Sequence, residues 1–538
     1  MGATFFGLLK DQHWLKSGLN APVRTTAFFW VRALFCLQMD PRPPQHAPLV
    51  RETYDIHRIL AEFRFGRFTC QAWRDHRQRN DLPVLRAQLA AAERMLLDGA
   101  GNRAVAMALS DGAFFVLVPL VERLLITYIE FGGLLVEDGA LRLKLSYDKR
   151  YIQGHGNIGF SVSFCDVHRP HNSAINSHTF AVVEADETAP DLAVIFAEMH
   201  LDEAIVELQQ LHLETPDGHT FTFEIFFVGD WMSLMPLIGY ERPSTTNGDH
   251  NICGWCLCIK EFLKGGWRSN PFYFHDITDQ WTELLPNLPV SSCRYCPMHG
   301  CTRMLCGALQ LVRAHAPHGA RGRMDELMST TRPRWTSNVA LRCIEMKRFF
   351  SDRSNITYIA ALYTTDLLCV PLPSGGVIHL PRCVAIHRLL DSIRVFYEFA
   401  YREQPHDNDI NVLWSARHAY LGVFCALEWD LTPTAHYMTN HFIHFATNDG
   451  SAHHLLQEGT EHHHHDDRVD LATTVGRGVA WNTDGRTGFQ QLLDQQEIRR
   501  LLVRMGYGPA NMRPLFVSDG AATPQPFPLS PPRDGPHE

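Results

Sequence analysis

Leu141-Arg-Leu-Lys-Leu-Ser-Tyr-Asp148 decides how this chain is read. Apolar and polar residues alternate through it, the period of a half-buried strand, and it ends on an acid. After a turn at 154–157, Ile158-Gly-Phe-Ser-Val-Ser-Phe164 alternates again, and Thr179-Phe-Ala-Val-Val-Glu184 supplies a third strand. Leu192, Ile195, Phe196, Met199, Ile205 and Leu208 then recur at helical spacing. Beyond the turn signal Pro216-Asp-Gly218, Phe221, Phe223, Ile225 and Phe227 alternate into Gly229-Asp230. Three strands, a helix and a fourth strand predict an α/β domain, with one acid ending the first strand and another ending the fourth.

Outward from that stretch, the 538 residues are 45% hydrophobic and 20% charged, the composition of a folded globular chain. The formal charge of −9 excludes a histone-like protein held to nucleic acid by bulk charge. Residues 1–140 read as a mostly helical region, with helical spacing over 82–97 and a buried helix over 114–126. Residues 141–242 hold the strands, and 243–442 read as mostly helical, most clearly at 332–350 and 384–399. Residues 443–506 follow with amphipathic spacing from Phe489 to Met505, and the Pro-rich stretch 507–538 predicts a disordered tail. No apolar run approaches the roughly twenty residues of a membrane helix, and the opening residues lack a secretory pattern. The expected setting is cytosolic or nuclear, with reduced thiols and no membrane partner.

Within the helical stretch, Arg303, Arg313, Arg321, Arg323, Arg332, Arg334, Arg342, Lys347, Arg348 and Arg353 face only Asp325, Glu326, Glu345 and Asp352. A solvated helix face and a phosphate-binding track both account for this basic segment.

Two half-sites have metal-ligand spacing. Cys253-Gly-Trp-Cys256 lets two thiolates reach one tetrahedral zinc, although a redox pair or two buried thiols have the same spacing, and Cys258 competes. Far along the chain, His436-Tyr-Met-Thr-Asn-His441 sets two imidazoles on one side of a helix or turn. One zinc joining these halves makes sense only as a clamp on the two ends of a large insertion. Cys293-x-x-Cys296, with His299, Cys301 and Cys306, is a rival set able to bind a second zinc, for which buried thiols and a core histidine are the better explanation. Asp148 and Asp230, brought together at a sheet edge, would repel unless cations stood between them, the arrangement of two-metal phosphoryl transfer. A third acid normally completes such a site. Glu458 is the candidate, with Asp449, Glu461, Asp466 and Asp467 as rivals.

These features together resemble the catalytic core of the recombination-activating protein 1 of the V(D)J recombinase and the Transib-type cut-and-paste transposases. The resemblance covers about residues 141–505. It rests on Asp148, Asp230, Ile252-Cys253-x-x-Cys256, His436-x4-His441, Asp449-Gly-Ser451 and Glu458-Gly-x-Glu461, the last run being the most specific. His462–His465, directly after Glu461, depart from the family pattern. The resemblance implies an RNase H-like domain interrupted by a zinc-clamped, mostly helical insertion. It makes Asp148, Asp230 and Glu458 a catalytic triad holding two Mg²⁺ or Mn²⁺ ions, and Cys253, Cys256, His436 and His441 the ligands of one structural zinc. It further implies double-stranded DNA ends as substrate, a homodimer or higher assembly, an accessory subunit and a nuclear location. The expected function is a DNA transposase or recombinase. A catalytically silent, zinc-stabilised DNA-binding protein and a metal-dependent nuclease without strand transfer are the alternatives.

Overall fold

The structure, a computed structural model, describes residues 107–457 apart from 131–133, 137–138, 153–154, 168–175, 215–217, 241–252, 257, 333–340 and 403–404, together with 489–490, 492–493 and 496. The helix expected over 82–97, the tail from 507 and most of the segment from 489 to 505 lie outside the described residues. The chain divides into two units, one of residues 116–150 and 156–462, the other of residues to 115, 151–155 and from 463 onward. In the latter, Met107–Leu109 and Gly112–Phe114 form an antiparallel hairpin, so strand stands where the sequence suggests mostly helix.

The larger unit is mixed α/β. It begins with helix α1 (Leu117–Glu130) and strands β1 (Gly139–Ile152), β2 (His155–Phe164) and β3 (Ser177–Val183). Helices α2 (Ala189–Glu198) and α3 (Leu201–Gln210) come next, then β4 (Leu213–Glu214) and β5 (Thr220–Gly229). Helix α4 (Trp231–Ile238) and strand β6 (Cys293–Tyr295) follow. The sheet runs in the order β3-β2-β1-β5-β4, with β6 also paired to β5. Strands β2 and β3 are antiparallel, whereas β1 and β6 both lie parallel to β5. The single helix expected after β3 is two helices. The break falls at His200, whose φ of 50° is left-handed and stops the first helix before the second begins.

The alternation of β1 is what the sequence period predicts. Leu141, Leu143, Leu145 and Tyr147 are buried on one face, where Tyr147 meets Phe160, Phe196 and Phe227. Arg142, Lys144, Ser146 and Asp148 share the other face. Strand β1 runs on to Ile152, so Asp148 stands inside it and not at its end.

Beyond β6 the unit is mostly helical: α5 (Pro297–Ala314), α6 (His318–Thr331), α7 (Cys343–Ser351) and α8 (Ser354–Ala361). An antiparallel hairpin of β7 (Leu367–Pro371) and β8 (Val377–Pro381) interrupts the helices and was not legible from the sequence. The long helices α9 (Arg382–Ala400) and α10 (Asp407–Ala426) pack on each other and lead to α11 (Pro433–Thr439) and α12 (His441–Asp449). Among the described residues no helix is long and apolar enough to cross a membrane.

Candidate metal centres

The two half-sites that stand far apart in sequence meet in space. One side-chain atom from each of Cys253, Cys256, His436 and His441 lies within 4.8 Å of all the others. Cys253 Sγ is 3.3 Å from His441 Nε2, and Cys256 Sγ is 3.1 Å from His436 Nε2. A tetrahedral zinc with bonds of about 2.3 Å to sulfur and 2.0 Å to nitrogen would separate its ligand atoms by roughly 3.5 Å. The donor set and its spacing therefore fit one zinc ion. Burial and the neighbouring Arg417 charge push His436 down to about 3, and burial drives His441 down as well, so both imidazoles stay neutral, the form that binds metal.

Local chemistry explains why the imidazoles arrive in register. Thr432 caps α11, its hydroxyl accepting from Ala435 N. The helix stops at Asn440, whose amide Nδ2 donates to the His436 carbonyl and lies 3.3 Å from His436 Nδ1, leaving Nε2 toward Cys256. Buried Arg417 on α10 donates to the carbonyls of Thr439, Phe272 and Tyr273, which ties α11 to the chain at 272–275. Between the two cysteines, fully buried Trp255 donates to Cys293 O and meets the Tyr437 ring at 4.5 Å. Tyr295 N donates to the Tyr437 hydroxyl. Because β6 pairs with β5, the cluster is braced against the strand that leads to Asp230.

Asp148 lies within β1, and Asp230 directly follows β5. Parallel pairing of β1 with β5 runs from Gly139↔Phe221 to Leu145↔Phe227. Asp148 and Asp230 each stand three residues beyond that last pair. Asp230 caps α4: its Oδ1 accepts from Ser233 N at 2.8 Å and Ser233 Oγ at 3.0 Å. Gly239, at φ 109°, closes the same helix in a conformation that suits glycine.

A further acid was missed in the sequence. Glu187 accepts from Ser233 Oγ at 3.3 Å and from the backbone N–H of Lys149, the residue after Asp148. Burial, then the charge of Asp230, raises its carboxyl to about 7. The only signal was Ala185-Asp186-Glu187 following the third strand, a pattern shared by many loops.

Glu458 lies outside the described residues, as do Glu461, Asp466, Asp467 and His462–His465. The chain leading to it is well anchored. Lys144, on the same face of β1 as Asp148, donates to Leu456 O at 2.8 Å, and Gln457 Nε2 donates to Val228 O at 2.9 Å. Val228 is two residues before Asp230. Of the rivals, Asp449 lies 3.9 Å from Arg294 and 3.8 Å from His454, with Arg142 also acting on its charge, so it belongs to a different cluster.

The other sequence candidates do not gather. Cys293, Cys296, His299, Cys301 and Cys306 appear in no metal-holding group among the described residues. Burial pushes the Cys293 thiol up to about 12 and raises that of Cys301, as expected of core thiols. The basic segment is largely consumed internally: Arg313 pairs with Asp325, Arg332 and Arg342 with Glu345, and Arg353 with Glu398. Arg321 donates to two helix-end carbonyls, and Lys347 sits over the Tyr401 ring. Arg303, Arg323 and Arg348 are exposed; Arg334 lies outside the described residues. No protein-family model matches the chain, and no curated protein matches its sequence.

Proposed function

We propose that this chain is a DNA transposase or recombinase that cuts and joins DNA by phosphoryl transfer, with Asp148, Asp230 and Glu458 as its divalent-metal ligands. The parallel register of β1 and β5 carries the reading, because it supports bringing the two chain segments that hold the aspartates together. The order β3-β2-β1-β5-β6, with β1, β5 and β6 parallel, supports an RNase H-like core. The bonds from Lys144 and Gln457 add support, because they hold the chain up to residue 457 against β1 and β5.

Bound Mg²⁺ or Mn²⁺ would supply Lewis-acid activation of the attacking oxygen and charge stabilisation of the leaving one. The chain's own residues do the rest. The helix cap fixes one Asp230 oxygen, Ser233 ties that oxygen to Glu187, and the acid cluster repels DNA phosphates until cations neutralise it. Arg303, Arg323 and Arg348 give salt-sensitive contacts to the backbone of double-stranded DNA without reading its sequence. Zinc at Cys253, Cys256, His436 and His441 closes the helical insertion so that the chain re-enters the sheet beside the aspartates. Paired ends require a homodimer or larger assembly, and the activity belongs in the nucleus.

The test incubates the full chain with linear DNA ends and Mn²⁺ and looks for cut and joined products. Asp148→Asn and Asp230→Asn are each expected to lower both reactions by about 10³-fold or more, with folding retained because asparagine is nearly isosteric with aspartate and, at 230, also caps a helix. Cutting without joining would favour a nuclease. Salt-sensitive DNA binding without cutting would favour a silent, zinc-stabilised DNA-binding protein.

A further inference from the structure

The four-ligand cluster is closed on most sides. Cys253, His436 and His441 are fully buried, and Cys256 alone is half-buried. An ion therefore reaches the cluster from the Cys256 side, and two more metal-binding side chains stand there. Cys258 and His275 form a second group with His436, one ligand atom from each lying within 4.8 Å of the others. Cys256 is in hydrogen-bonding contact with both Cys253 and Cys258, so the thiols run continuously from one group to the other. The His275 ring meets that of His436 edge-on at 5.0 Å. His275 Nε2 is buried yet has no hydrogen-bond partner, while its backbone N–H reaches Asn440 Oδ1 at 3.5 Å. An imidazole nitrogen without a partner in a buried position costs free energy unless something fills it.

We propose that Cys258, His275 and His436 form a second, overlapping zinc site that is the entrance to the closed one. The two groups share His436, so a single ion occupies one or the other. Three protein ligands leave a coordination position for water or an incoming ligand, whereas four ligands close the sphere. The ion arrives on the open set, then exchanges Cys258 and His275 for Cys253, Cys256 and His441, keeping His436 throughout. Each thiol that becomes a ligand releases its proton to solvent, and each that leaves regains one. Release runs the same path backward, so the open set makes a buried structural zinc exchangeable.

This inference rests on the reading of zinc at the four-ligand cluster. The full chain is loaded with zinc, its metal content measured, and release followed with an excess of a chromophoric chelator. Wild type, His275→Gln and the double variant Cys258→Ala/His275→Gln are compared, with thermal unfolding as the control for folding. The single variant, at a half-buried position, guards against misfolding of the double one. The expected result is one zinc per chain and unchanged melting in all three, with release about tenfold slower in the double variant and intermediate in the single one. Equal release rates would overturn the entrance while leaving the four-ligand zinc standing. Two tightly held zincs per chain would also overturn it, as would loss of zinc from the variants. A wild-type chain that takes up no zinc overturns both readings.

Discussion

The two metal-binding regions are built on opposite principles. The Cys253–Cys256–His436–His441 cluster is closed, nearly dry and made of groups that are neutral or become ligands by losing a proton. The acidic edge around Asp148, Glu187 and Asp230 is half-open and gathers like charges, with Glu187 held partly protonated near neutral pH by burial and by Asp230. With a zinc ion bound, the first region would gain much of its cohesion from that ion. The second is a liability to the fold without cations, and the backbone pays for it elsewhere, through the buried face of β1 and the aromatic packing around Tyr147. On the proposed reading, a structural centre and a reactive centre differ in whether an ion would complete the fold or relieve it.

Removing a ligand from the closed region should have the largest effect on stability. Cys253→Ala leaves three ligands around an ion enclosed by buried chain and opens a gap beside Trp255. Metal binding and folding are coupled, so the loss should be about 3–5 kcal/mol, a fall in Tm of roughly 4–7 °C for a unit of this size. Thermal unfolding with parallel zinc analysis measures it. An unchanged melting curve in a zinc-free variant would erase the contrast between the two regions.

Legibility followed the same divide. Asp148, Asp230, Cys253, Cys256, His436 and His441 stood out because strand alternation and C-x-x-C or H-x4-H spacing are local patterns that survive in one dimension. Glu187 was invisible, since it becomes significant only when its loop folds back to Ser233 and the backbone of Lys149. The basic run at 303–353 misled in the other direction. Counting charges could not reveal that Glu345, buried in α7, would take both Arg332 and Arg342. The β7–β8 hairpin was hidden because Leu367–Pro371 is short and bounded by no distinctive alternation. The length of β1 past Asp148 escaped notice because Lys149-Arg150 breaks the apolar period while the backbone stays extended.

The acidic edge should answer to pH near neutrality and to Mn²⁺. The Glu187 carboxyl is raised from 4.5 to about 7, so the folded chain holds that proton more tightly than the unfolded one. Its stabilising contribution is complete below about pH 4.5 and is lost as pH rises through about 7. Without divalent metal, Glu187→Gln should match wild type in acid and melt higher than wild type above neutrality. Added Mn²⁺ should narrow that gap by stabilising the wild-type carboxylates. Melting curves across pH, with and without Mn²⁺, decide it. Parallel pH profiles for the two proteins would mean that Glu187 feels neither Asp230 nor the cation.

The smallest effect should come from the joint that links the two regions. Gln457→Leu removes the hydrogen bond to Val228 O and leaves a buried carbonyl without that partner, at a cost of about 1 kcal/mol. Such a change lowers Tm only slightly, about 1–2 °C for a unit of this size. If the segment at 456–457 serves only to pack the core, DNA cleavage should follow stability and fall no further. If it aims Glu458 at the aspartates, the cleavage rate at saturating Mn²⁺ should drop well beyond what the melting shift explains, while zinc content and DNA affinity hold. Lys144 separates the cases further, because its ammonium grips the neighbouring Leu456 carbonyl from the strand that carries Asp148. Lys144→Met should reproduce the cleavage defect of Gln457→Leu only if both bonds position the same acid. The two bonds reach the segment from different strands, so matched defects would mark position, and not general loosening, as what they share.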